Sequence, residues 1–149
     1  MPPKQTGFDP KPSTTPGSRS RSYLGLLLAI SAAVILIDRL TKLFIIHHVP
    51  SDAARTIIPG VLRITHVLNT GAAFSMFAES ASPATVRIAL ILGGAFGNLY
   101  DRVRYHYVID FLEVRIIHYH WPDFNVADSC IVIGACLLLI EIFRPQPAN

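Results

Sequence analysis

Residues 23–37 carry no charge, and the apolar run continues through "DRLTK" into "LFII". At 1.5 Å per residue the uncharged part covers about 22 Å, short of a hydrocarbon core of roughly 30 Å. A spanning helix must therefore include the charged positions, and the pattern predicts a first membrane helix over 23–44. Asp38 then lies inside the outer part of the membrane. Residues 1–22 are rich in Pro, Ser and Thr, carry Lys4, Lys11, Arg19 and Arg21, and read as a disordered basic tail. That tail places residue 23 at the cytoplasmic face by the positive-inside rule. A secretory signal peptide is the alternative for this run, but no small-residue cleavage site follows it.

The pattern then changes. From 50 to 74, Pro59-Gly60 marks a turn and "VLRITHVL" alternates β-branched with polar positions, which predicts a small extramembrane β element closed by "NTG". A short apolar helix is predicted over 86–100. Its uncharged core, 88–99, covers about 18 Å, the length of a re-entrant or buried segment. Residues 101–123 combine Arg102, Arg104 and Arg115 with tyrosines, Trp121 and three histidines, which suits an interfacial segment at headgroup depth. The last membrane helix is predicted over 126–143, about 27 Å, with Asn125 as N-cap, Asp128 three residues on and Pro145 beyond its end. Residues 145–149 are a tail. The fold class is α: a polytopic helical membrane protein, one membrane-embedded domain over 23–144, with a small β element.

Composition agrees with lipid as the solvent: 51% of the 149 residues are hydrophobic and 15% charged, with a mean hydropathy of +0.43. The net charge of +3 is dispersed, without the dense basic patch of a nucleic-acid binder. Cys130 and Cys136 lie six positions apart in one predicted helix and so face different ways, which excludes a disulfide between them. His47-His48 and His118-Tyr-His120 lack the spacing and the Cys or Asp partners of a zinc site.

The acids are the chemistry. Asp38 and Lys42 are i and i+4, a pair that eases both into the membrane, yet an intramembrane acid is also a functional candidate. Asp101, beside Arg102 and one turn after Asn98, reads as a polar cluster at a helix end. Asp128 complements a helix N-terminus as a cap. Asp110 interrupts "YVIDFL" with no basic residue within three positions, and nothing local explains it. Should Asp110 and Asp128 converge, they would share one proton near neutral pH. One would act as base toward a water and the other as acid toward a peptide carbonyl, with no metal needed.

Four stretches together resemble the lipoprotein signal peptidases, also called signal peptidase II. "DRLTK" is similar to the family's Asp-x-x-x-Lys element and "VLNTGAAFS" to its Asn-x-Gly-Ala-Ala-Phe element. "GGAFGNLYDRVRYHYVIDFL" and "FNVADS" resemble the blocks carrying its two catalytic aspartates. The resemblance implies that Asp110 and Asp128 are the catalytic dyad, surrounded by Asp38, Lys42, Asn69, Gly71, Asn98, Asp101, Arg102 and Asn125. It implies an aspartic endopeptidase of the bacterial inner membrane, multi-pass, that removes signal peptides from diacylglyceryl-modified prolipoproteins. Its partners would be those precursors, membrane lipid and globomycin-type inhibitors, with no cofactor and no nucleic acid.

One departure stands out. The family has four membrane helices, and between the "GAAFS" and "GGAFGN" elements this chain has only "MFAESASPATVRIALIL", so a helix of about twenty residues with its turn is missing. Three resolutions are open: residues 88–99 re-enter without crossing, the first helix inverts, or the chain is a shortened form that folds incompletely or has little activity. A truncated, inactive anchor or binding protein is thus the alternative function. A small channel or proton carrier is disfavoured, because the last helix has no second polar group before Glu141.

Overall fold

The computed structural model describes residues 17–51, 53–70 and 84–143. Most of tail 1–22, the end of the β element at 71–74, Gly71 and the tail 145–149 lie outside the described residues. Three helices and a small antiparallel sheet make up the fold, in the order α1 (Gly17–His48), β1 (Ala54–Ile58), β2 (Leu62–Asn69), α2 (Ala84–Tyr105), β3 (Val108–Ile116), β4 (Tyr119–His120) and α3 (Val126–Ile142).

Helix α1 starts six residues before the expected position 23 and runs past 44 to His48. Extending an existing helix costs little, and no breaker stands before Pro50, which disfavours helical geometry at Val49. Helix α2 also exceeds the expected 86–100, because its polar positions Asn98 and Asp101 are buried against partners rather than ending the helix. It stops at His106, whose φ of 67° is the left-handed turn that closes a helix.

Residues 101–123, expected as an interfacial segment, hold the last turn of α2 and then β3 and β4. "VIDFLEVRI" is a strand because β2 supplies its ladder. Pairs run from Leu62↔Val114 to Asn69↔Val108, with a bulge between Ile64 and Val67. The sheet order is β1-β2-β3-β4. On one face of β3, Ile109 and Phe111 join Ile45 of α1 in the core cluster. His66 on β2 ties to the end of α1 through its Nδ1 and the Val49 carbonyl, 2.8 Å away.

Helix directions follow from the contacts. Ser31 bonds the Ala89 carbonyl at 3.1 Å, Val34 abuts Gly93, Asp38 abuts Gly97, and Lys42 pairs with Asp101. Both series rise, so α1 and α2 are parallel. Against α3 the series is reversed: Gly94 meets Ala127 and Ile131, Gly134 meets Arg87 and Ile91, and Arg87 pairs with Glu141. Asn98 and Asp101 therefore share an end of the bundle with Asp38 and Lys42, whereas Ala84 starts at the other end. Helix α2 thus runs the length of the bundle.

Close approach is what the glycines of α2 provide. A Cβ on Gly94 would fall inside van der Waals contact of the Ala127 carbonyl oxygen and 2.8 Å from Ile131 Cγ1. Gly94→Ala should therefore cost about 1–3 kcal/mol of stability. Thermal unfolding in detergent checks this; an unchanged midpoint would show that α2 and α3 are not held this closely.

Candidate active site

Lys42 is fully buried, and an ammonium in that position needs compensation. Its Nζ donates to Asp38 Oδ2 at 2.8 Å and Asn98 Oδ1 at 2.9 Å, and pairs with Asp101 Oδ2 at 2.7 Å. Asp101 is also paired with Arg39, so two acids and two bases balance. The Arg39 guanidinium bonds the Tyr105 hydroxyl at 3.2 Å and lies over the Tyr100 ring, 4.5 Å from its centre. Asp38 Oδ1 accepts the Ala127 backbone N–H at 3.1 Å, satisfying an orphan donor in the first turn of α3. A Cβ on Gly97 would sit 2.9 Å from Asp38 Oδ2, so that glycine clears the acid's place.

A lysine can only donate, and this fixes the amide of Asn98: Oδ1 faces Lys42 and Nδ2 donates to Asp128 Oδ1 at 2.7 Å. Asn125 is fixed in the same way. Its Oδ1 accepts the Asp128 backbone N–H at 2.9 Å, and Asp128 Oδ2 accepts the Asn125 backbone N–H at 3.2 Å, a complete capping box. The Asn125 Nδ2 is thereby turned to Asp110 Oδ1, 2.7 Å away. Asn69 Nδ2 donates to the other oxygen, Asp110 Oδ2, at 2.9 Å.

Backbone geometry brings these elements together. Phe124, just before the cap, is bridged to β3: its N–H donates to the Leu112 carbonyl at 3.1 Å, and its carbonyl accepts from Phe111 and Leu112. The start of α3 is thus pinned beside Asp110. Asp110 is 1% exposed. Burial, followed by the nearby charge of Asp128, pushes its carboxyl up to about 6 despite the amide donors and Lys42.

Nine of the ten sequence candidates converge on this one end of the bundle: Asp38, Lys42, Asn69, Asn98, Asp101, Arg102, Asp110, Asn125 and Asp128. Arg102 reaches the Asn98 carbonyl at 3.4 Å. Gly71 lies outside the described residues. Sequence reasoning missed Arg39 and Tyr105. The only signal for Arg39 was the one that flagged Asp38, a charge inside an apolar helix. Gly97, read from sequence as a packing residue, also borders a functional carboxylate. Among the described residues no group of three or more His, Cys, Asp or Glu is arranged to hold a metal ion.

The sequence model of a family described as Signal peptidase (SPase) II matches residues 30–86 and 79–144. The lipoprotein signal peptidase of Syntrophotalea carbinolica is 37% identical over 147 positions, taking in 80% of this chain and 91% of that protein. The one from Solibacter usitatus is 37% identical over 152 positions, with 80% and 93% covered. The chain belongs to the signal peptidase II family. Two solved structures titled as a bacterial membrane enzyme, determined by the in meso method, superpose with TM-scores of 0.70 and 0.69. They are 26% and 27% identical, covering 84% and 82% of this chain and 95% of each of theirs.

The family match also locates the departure noted in the sequence. Of the 147 positions aligned with the Syntrophotalea peptidase, about 119 can be residues of this chain, so about 28 have no counterpart. The family's sequence model matches in two pieces that overlap at 79–86, which puts the break in the match around the start of α2.

Because Asp110 titrates above the ordinary carboxylate value of 3.8, ionising it opposes the fold. Its contribution to stability is full below about pH 4 and is lost as pH rises through about 6. Carbon-13 NMR of the Asp110 carboxyl should show a midpoint near 6 that falls in Asp128→Asn, where the like charge is gone. A midpoint unmoved by that substitution would show the two acids to be uncoupled.

Proposed function

We propose that this chain is an intramembrane aspartic endopeptidase that removes the signal peptide from diacylglyceryl-modified prolipoproteins, cutting on the N-terminal side of the lipidated cysteine. The observation that carries the reading is the joint at Asn125, whose side chain holds Asp110 and whose backbone holds Asp128. The environments of the two acids differ in a useful way. Asp110 is buried with its carboxyl raised to about 6, which suits the proton-holding member. Asp128 stands at the positive end of α3 and accepts from Asn98 and the Asn125 backbone, which suits the member that acts as base toward water.

In this scheme Asp128 takes a proton from a water as its oxygen attacks the scissile carbonyl carbon, while Asp110 gives its proton to the carbonyl oxygen. The tetrahedral intermediate then collapses. The C–N bond breaks as the proton on Asp128 passes to the leaving nitrogen, and Asp110 regains its proton from the intermediate's hydroxyl. Lys42 takes no part in proton transfer; it polarises Asn98 and so keeps a donor on Asp128.

The site belongs near the outer face of the bacterial inner membrane, where a precursor's acyl chains stay in hydrocarbon and its scissile bond meets water. Among the described residues the stretch Ser22–His48 is long and apolar enough to cross on its own. We read α2 and α3 as crossing packed against it: their outward side chains, Phe96, Val132, Ile133, Leu139 and Ile140, are apolar and exposed, and the charges of Arg87 and Glu141 are paired. Globomycin-type inhibitors would bind at the dyad.

A second reading, an inactive family member that anchors or binds, is favoured by the missing stretch alone. What supports the peptidase instead is that Asp110 and Asp128 each accept amide donors from residues outside that stretch and meet at Asn125. A gel-shift assay with a diacylglyceryl-modified precursor, in detergent and with and without globomycin, separates the two. The peptidase reading predicts inhibitor-sensitive cleavage that falls about 100-fold or more in Asp110→Asn and in Asp128→Asn, with precursor binding retained. No cleavage by inserted wild-type protein would establish the inactive reading.

A further inference from the structure

The last turns of α1 and strands β1 to β3 enclose an open cleft of about 800 Å³. Leu40, Phe44 and Ile45 of α1 line it on one side, and Ile57, Ile64 and Phe111 of the sheet on the other. Its volume is that of a small-molecule site, and its walls are apolar. Charge enters at one place: Arg55 is directly opposite Ile64 in the ladder, so the two share a face at the edge strand. Arg55 is exposed, and no ion pair joins it to any described residue. His48 lines the same cleft; its Nδ1–H donates to the Phe44 carbonyl at 2.9 Å, and among the described residues its Nε2 has no hydrogen-bond partner.

The cleft is continuous with a stripe down α1. Leu36, Leu40 and Phe44 follow at four-residue intervals and are 59%, 57% and 59% exposed. They belong to the one described helix that is long and apolar enough to cross a membrane. An occupant must therefore be apolar over a length at hydrocarbon depth and anionic at the end that meets β1. A peptide there would bring backbone donors and acceptors that the apolar walls leave unpaired. An acyl chain brings none, and a phosphate matches the forked donors of an arginine.

We propose that this cleft is a binding site for an anionic phospholipid of the surrounding bilayer. One acyl chain lies along Leu36, Leu40 and Phe44, and the phosphate sits on Arg55 with His48 beside it. Phe111, which lines the cleft, directly follows Asp110 in β3. A bound lipid would back the strand that carries Asp110.

Native mass spectrometry of the detergent-purified chain, with phosphatidylglycerol or phosphatidylcholine added at equal concentration, tests the site. Wild type should retain one phosphatidylglycerol in about fivefold preference over phosphatidylcholine, the contribution of one basic residue at an anionic surface. Arg55→Gln, an exposed substitution, should erase the preference and Arg55→Lys should keep most of it. Leu40→Trp, which fills the cleft, should displace the lipid in either background. Equal retention of the two lipids by wild type, or an undiminished preference in Arg55→Gln, would overturn the proposal. So would one-for-one release of phosphatidylglycerol by a diacylglyceryl-modified peptide, which would assign the cleft to substrate.

Discussion

A single ammonium group organises this molecule. Lys42 has no access to solvent, so its charge is tolerable only while Asp38, Asp101 and Asn98 surround it. Those partners come from α1 and α2, and Asp38 also holds the first turn of α3. Burying the lysine therefore sets three helices in register at one end. It also sets the direction of a hydrogen-bond chain: Lys42 can only donate, so Asn98 must present its NH₂ to Asp128. The polarity at Asp128 is thus decided two residues away, at Lys42.

In the proposed peptidase the same residues serve as structure and as chemistry, which is why local reading could not separate the two. Asp128 is a cap by any local criterion, and its capping box is complete. That box is also what turns the Asn125 amide toward Asp110. An acid whose fold-stabilising bonds come from its own helix start is held rigidly, and rigidity is what a base needs if a water is to be positioned against it.

The sequence revealed residue types more readily than geometry. Asp110 stood out because no base within three positions accounts for it, and the start of α3 was legible from Asn125 and Asp128. The strand around Asp110 was not, because the arginines and aromatics of 101–123 gave the stronger impression of an interfacial segment. The ladder that makes it a strand depends on β2, more than forty residues earlier. Nor could the parallel run of α1 and α2 be read, since it rests on contacts such as Ser31 with Ala89 and Lys42 with Asp101. Length alone suggested a re-entrant helix, because Asn98 and Asp101 looked like an end; buried partners make them its interior. Arg39 escaped attention for the same reason, since only the fold brings Asp101 and Tyr105 to it.

The central claim is that Asp110 and Asp128 work as one unit carrying one proton. The most direct test is the pH dependence of kcat/KM for cleavage of a lipidated precursor, measured with binding and insertion verified at each pH. A shared proton predicts a bell: activity falls at low pH as both acids become protonated and again at high pH as both ionise. A profile that rises through one ionisation and stays level would mean that a single carboxylate acts alone, and the account of a coupled pair would fail.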